Sequence, residues 1–187
     1  MTLLIAGTFL FFAAHTFSAF RSRAAGHDIR ERMGEGSYMG LYSLVSLLGF
    51  ALMLYGYSQV AKGSLLIASP GWGRGAAFLL MAVAFILLMS AYMPRGYIKS
   101  FVQHPMVLGV GVWAFAHLFT GVDLREAVLF GAFFAFCLVD YVASLRRPSP
   151  AGTRKLVGDL LAVSIGLVAY GVFLSWGHAY LLGVSPV

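Results

Sequence analysis

GAAFLLMAVAFILLMSAYMP, residues 75–94, decides the architecture, because it runs from Gly75 to Pro94 without a single charged side chain. At about 1.5 Å per residue a helix of this length crosses the roughly 30 Å of bilayer hydrocarbon. Outward from it, Met1–Phe20, Gly36–Ala61 and Ser100–Val122 are also uncharged. Ala127–Leu145 and Leu156–Val187 contain one acid each, Asp140 and Asp159. Lipid offers no water to backbone N–H and C=O groups, so such segments must satisfy them internally as helices. The expected fold is an all-α, polytopic membrane helix bundle. It has about six transmembrane helices, near residues 3–20, 39–60, 75–93, 105–121, 127–145 and 156–176, in a single domain over residues 1–187.

Composition agrees. Hydrophobic residues make up 60% and charged residues 11% of the chain, against about 25% charged in a soluble domain. Too few polar side chains exist to cover a water-facing surface, and a chain this apolar and aromatic is not disordered. The single cysteine, Cys137, excludes disulfide frameworks and cysteine-held iron–sulfur clusters. The net charge of +6 sits in short patches between apolar runs, which argues against a nucleic-acid partner and for membrane lipid. Lysine and arginine favour the first, third and fifth loops ten to three over the rest of the chain. That bias places those loops in the cytoplasm and both termini on the periplasmic side of a bacterial inner membrane. Met1–Phe20 lacks a positive leading segment and is read as a retained span, not a signal peptide.

Two loops carry structure of their own in this reading. Residues 21–37 (RSRAAGHDIRERMGEGS) mix arginines with acids and predict a short interfacial helix ended by glycines. Residues 63–73 (GSLLIASPGWG) are apolar and predict a segment in the membrane interface, where Trp72 is well placed. RRPSPAGTRK, residues 146–155, reads as a solvated turn.

Ionisable side chains inside hydrocarbon are costly, which makes them the first functional candidates. Of five histidines, His27 lies in the basic first loop and is given no role, whereas His15, His104, His117 and His178 lie at or within spans. His15 can make an interhelical hydrogen bond, supported by a polar stripe of Tyr38, Tyr42, Ser43 and Ser46 on the second span, or it can ligate a metal or haem. Trp113 and Thr120 share the helix face of His117, and Gly109 and Gly111 allow close approach by a helix or a flat cofactor. His104 precedes Pro105 at a helix start, where it can cap the helix or meet an anionic group. His178 reads as an interfacial hydrogen-bonding residue. Asp140 is expected to pair with Arg146 and Arg147, and Asp159 with Arg154 and Lys155. No HExxH, G-x-S-x-G or phosphate-binding glycine loop is present, and without CxxCH any haem is non-covalent.

Several stretches together resemble the NnrU family of bacterial membrane proteins: His15 with the arginines after it, GEGSYMGLYSLVS (34–46), HPMVLGVGVWAFAHL (104–118), the basic end of the fifth helix, and HAYLLGVSP (178–186). The resemblance implies a role linked to nitrite and nitric oxide reduction in denitrification. The family is in turn similar to zeta-carotene isomerase, a membrane enzyme holding haem b, whose histidine ligands fall at the positions of His15 and His117. Haem b as cofactor, a hydrophobic polyene or other lipid-soluble substrate, and a reductase partner are what the resemblance implies. The isomerase has a cysteine three residues before its second histidine; here Ala114 stands there. The family's arginine before HP is Gln103.

Depth complicates the pair. His15 lies about 8 Å from the boundary at Phe20 and His117 about 20 Å from one placed at His104, at 1.5 Å per residue. The mismatch closes if residues 97–106 dip into the membrane. Without such a dip His15 pairs better with His104, the reserve ligand. Two other readings stand beside haem binding. HPMVLG is similar to the RHPxYxG element of membrane methyltransferases that use S-adenosylmethionine, with Gln103 and Val107 or Leu108 replacing the arginine and tyrosine. The third reading is a non-enzymatic assembly or partner subunit, in which the polar positions only hold helices together.

Overall fold

The computed structural model describes residues 1–146 and 152–186. Among them the chain is helical throughout: α1 (Thr2–Phe20), α2 (Ile29–Met33), α3 (Glu35–Gln59), α4 (Gly73–Tyr92), α5 (Tyr97–Val102), α6 (Pro105–His117), α7 (Leu124–Leu145) and α8 (Leu156–Val172). A wider π-type turn at Phe173–Gly177 carries α8 into α9 (His178–Leu182). Five helices, with α8 and α9 counted as one, are long and apolar enough to cross a membrane. Their outward faces are apolar: Phe9 is 75% and Leu79 73% exposed. A polytopic membrane bundle accounts for both facts.

The fourth expected span, 105–121, is shorter than its hydropathy predicts. Helix α6 ends at His117, because Gly121 turns the chain at φ 89° and Val122 pairs with Ile67 as an isolated antiparallel bridge. The apolar segment 63–73 is therefore tied to this corner, with Leu66 N–H donating to Val122 O at 2.7 Å, while Trp72 stays 63% exposed. Aromatic and aliphatic content carried the hydropathy past the true helix end.

Helices α1 and α3 pack antiparallel at a distance only glycine permits. A Cβ on Gly7 would lie 2.3 Å from the Met53 nitrogen, and one on Gly56 2.2 Å from that of Leu4. In lipid, where apolar burial gains little between helices, such backbone approach supplies the packing energy. Leu4, Met53 and Leu129 form the buried core, flanked by Tyr57, Val128, Phe130 and Phe133. Helix α7 lies against both α1 and α6, while α1 and α6 do not touch among the described residues.

At the end where α1 begins, Asp123 caps α7 in a reciprocal box with Glu126. Its carboxylate also accepts the Gly63 N–H at 3.0 Å and lies 3.3 Å from Arg125 Nε. Burial alone would raise the Asp123 pKa, but these hydrogen bonds and the arginine outweigh it and hold the carboxyl below its ordinary value. At the opposite end the first loop forms the expected short helix, α2. Asp28 caps it through Arg30 N–H at 2.9 Å and pairs with Arg21, and Gly34 breaks it at φ 80°.

One local expectation is corrected. Asp159 does not pair with Arg154 or Lys155: its carboxylate accepts the N–H groups of Tyr97 at 2.7 Å and Ile98 at 2.9 Å, capping α5 from another helix. Asp140 accepts from Ser144 Oγ at 3.4 Å; the Arg147 half of its expected pairing lies outside the described residues.

Candidate functional site

His15 sits in the last two turns of α1, half-buried. Its Nδ1 bonds the Phe11 carbonyl at 2.8 Å, so the interhelical bond expected of it is replaced by one within its own helix. A carbonyl accepts only, so Nδ1 carries a proton. The ring lies 4.0 Å from Phe11, 5.3 Å from Tyr42 on α3 and 5.9 Å from Phe136 on α7. The stripe on α3 does face it, with Tyr38 and Tyr42 stacked at 6.3 Å.

His117, the last residue of α6, repeats the device: its Nδ1 bonds the Trp113 carbonyl at 2.8 Å. Its ring stacks on Phe130 at 4.3 Å and lies 5.1 Å from Trp113. Gly109 and Gly111 serve helix packing. A Cβ on Gly109 would meet Ala84 and Leu87 of α4 at 3.2 Å, and one on Gly111 would meet Cys137 of α7 at 3.1 Å. Ala114, where the isomerase has cysteine, is fully buried.

His104 occupies the N-cap position of α6 but makes no side-chain capping bond, and its Nε2 is buried without a hydrogen-bond partner. The expected cap is absent because the turn before it is made by backbone alone. Gln103 adopts φ 60°, ψ −47°, and His104 N–H reaches Val102 O at 2.6 Å, the strained three-residue γ-turn. His178 bonds Val184 O through Nδ1 at 2.6 Å, as an interfacial polar residue should.

Between α1 and α7 runs a groove of about 590 Å³, lined by Thr8, Phe9, Phe12, Ala13, Thr16, Ala132, Ala135, Phe136 and Val139. Its volume falls within the roughly 300–1,000 Å³ of ligand clefts. Small residues on both helices, Ala13, Ala132 and Ala135, open it, and its faces point outward from the bundle. Sequence reasoning missed it. The only trace was the alternation of alanine with phenylalanine along α1 and α7, which reads equally well as ordinary packing.

The pattern of the whole chain decides its relationship: the NnrU protein family matches residues 3–186. The chain belongs to the NnrU family. No curated protein and no solved structure matches it.

His15 and His117 of this NnrU protein approach the same helix, α7, at different points. His15 meets α7 at Phe136 and His117 meets it at Phe130. Six residues of helix separate those levels by about 9 Å. The Phe133 ring fills the interval, 5.8 Å from Phe11, 5.0 Å from Phe12 and 5.4 Å from Trp113. The two imidazoles therefore meet α7 at different levels, with the Phe133 ring between those levels. Helix α5 does not close the gap, since it precedes His104 and leaves His117 at the far end of α6. Among the described residues no three of His, Cys, Asp and Glu come together in a metal-binding group.

Proposed function

We propose that this NnrU protein binds an elongated, lipid-soluble molecule of polyene type in the α1–α7 groove, taken up sideways from the bilayer. The observation that carries this reading is the groove itself, apolar, outward-facing and large enough for such a ligand. Conjugated chains stack on aromatic faces, which Phe9, Phe12 and Phe136 supply. Thr8 and Thr16 provide the polar atoms at its two ends, and His15 stands behind Phe136 with Nδ1 bonded to the Phe11 carbonyl. An imidazole in that position can exchange a proton with a bound ligand once the phenyl ring swings aside. The proposed activity is a zeta-carotene-isomerase-like cis–trans isomerisation in a bacterial inner membrane, linked to nitrite and nitric oxide metabolism.

Parinaric acid, a fluorescent conjugated fatty acid, tests the reading on detergent-solubilised protein. Saturable binding is expected, lost in Ala13→Leu and Ala135→Leu, which fill the groove. Equal binding by wild type and both variants overturns it.

A second reading rests on the bonded Nδ1 atoms. Histidines that ligate metals generally give their other N–H to a carbonyl or carboxylate, as His15 and His117 both do. Either can hold a haem b alone, and haem when bound supplies a redox-active iron. Absorption spectra of haem-supplemented protein then show a Soret band abolished by only one of His15→Ala and His117→Ala. A band needing both histidines restores the axial pair.

A further inference from the structure

Where α4 ends, the chain makes a platform that the groove reading does not use. Helix α5 turns Tyr97 and Phe101 outward, 55% and 88% exposed, four residues apart and therefore on one face. Its inner side is anchored three ways: by Asp159 at its start, by Tyr141 Oη donating to Val102 O at 3.0 Å, and by Lys155 N–H donating to Arg95 O at 2.9 Å. The third and fifth loops thus meet at one end of the bundle. Between them lies a cavity of about 570 Å³ lined by Tyr97, Ile98, Ser100, Phe101 and Arg154.

Charge there is one-sided. Residues 92–104 and 146–158 hold Arg95, Lys99, Arg146, Arg147, Arg154 and Lys155 and not one acid. The nearest carboxylate, Asp159, is turned onto the α5 backbone. Lys99 Nζ is spent on the Ala91 and Met93 carbonyls that end α4, at 2.7 and 3.2 Å. Ser100 Oγ donates to Gly96 O at 2.7 Å and accepts from Arg95 Nε at 3.0 Å. Arg154 is exposed, lines the cavity, and makes no ion pair with a described residue.

We infer that this cavity holds the headgroup of an acidic phospholipid, its phosphate bonded by Arg154 and its acyl chains running along Phe101 and Tyr97. A guanidinium binds phosphate in a fork of two N–H bonds, and an aromatic pair at the level of the headgroups suits the boundary between phosphate and acyl chain. The helix does not cross the bilayer; it lies along the rim, where a lipid can bridge the third and fifth loops.

Native mass spectrometry of the full-length protein, delipidated and titrated with phosphatidylglycerol or phosphatidylcholine of identical chains, tests this directly. Wild type is expected to retain phosphatidylglycerol about fivefold better, the factor one arginine supplies at an acidic surface. Arg154→Gln should reduce that preference to parity by weakening phosphatidylglycerol retention more than phosphatidylcholine retention, while Phe101→Ser weakens both lipids alike. Equal retention of the two lipids by wild type, or a preference that survives Arg154→Gln, overturns the inference. So does a preference abolished by Arg146→Gln alone. Parinaric acid binding in the groove reports separately, so either reading can fail without the other.

Discussion

His15 and His117 face the same helix, α7, at levels six residues apart, one against Phe136 and the other stacked on Phe130. Both bond Nδ1 to the carbonyl four residues back, so each ring is fixed by its own helix and not by the other. Their energetics should be independent. Substitutions at sites without shared partners add to within about 0.5 kcal/mol. Thermal unfolding in detergent of His15→Ala, His117→Ala and the double variant is expected to give additive losses. A double variant no less stable than the worse single one means that a shared group links the rings.

Phe133 is the wedge between them. Phe133 is only partly buried, so Phe133→Ala should cost about 2 kcal/mol, below the range for deleting a fully buried phenyl ring. The loss should fall on the contacts of α7 with α1 and α6. Unfolding measurements with tryptophan fluorescence report it, since Trp113 lies 5.4 Å from the ring. An unchanged emission maximum and stability would falsify the assigned packing.

Gly7 sets the distance between α1 and α3. Gly7→Val places a Cβ where the Met53 nitrogen already lies, 2.3 Å away, and backbone cannot yield as a side chain can. A loss of about 3 kcal/mol or failure to fold is expected. Gly36→Ala, on the same pair of elements with nothing within 4 Å, should be neutral. Size-exclusion behaviour and yield distinguish them.

Asp159 closes the N-terminus of α5 from across the bundle. Asp159→Ala leaves the Tyr97 and Ile98 N–H groups without an acceptor and should cost about 1 kcal/mol, as loss of a helix cap does. Hydrogen exchange should rise at residues 97–100 and stay unchanged in α4. Protection that persists there argues that water replaces the carboxylate without cost.

Asp123 carries the acid sensitivity of the other end. Its folded pKa lies below the ordinary 3.8, so the stabilisation is complete above the unfolded value and fades as pH falls through the lower folded one. Stability measured between pH 5 and pH 2 should therefore fall in wild type as the pH drops below ordinary carboxylate titration, and stay flatter in Asp123→Asn. Identical pH profiles contradict the assignment.

The length and hydropathy of the runs fixed which segments span, because crossing lipid is a local demand that each segment meets alone. The glycines after residue 33 and the Pro105 helix start were equally legible, being local geometry. The end of α6 was not: nothing in GVGVWAFAHLFT signals that Val122 pairs with Ile67, a contact between segments far apart in the chain. Tertiary structure alone decided the relative depth of His15 and His117, the lateral groove of alanines and phenylalanines, and the turning of Asp159 from its neighbouring cations to α5. Depth and rotation of a helix are set by the neighbours it packs against, and for α1 those are the close backbone contacts of its Gly7 with α3 and of Gly49 and Gly56 of α3 with it. A histidine motif names the imidazole; only the packing says what that imidazole can reach.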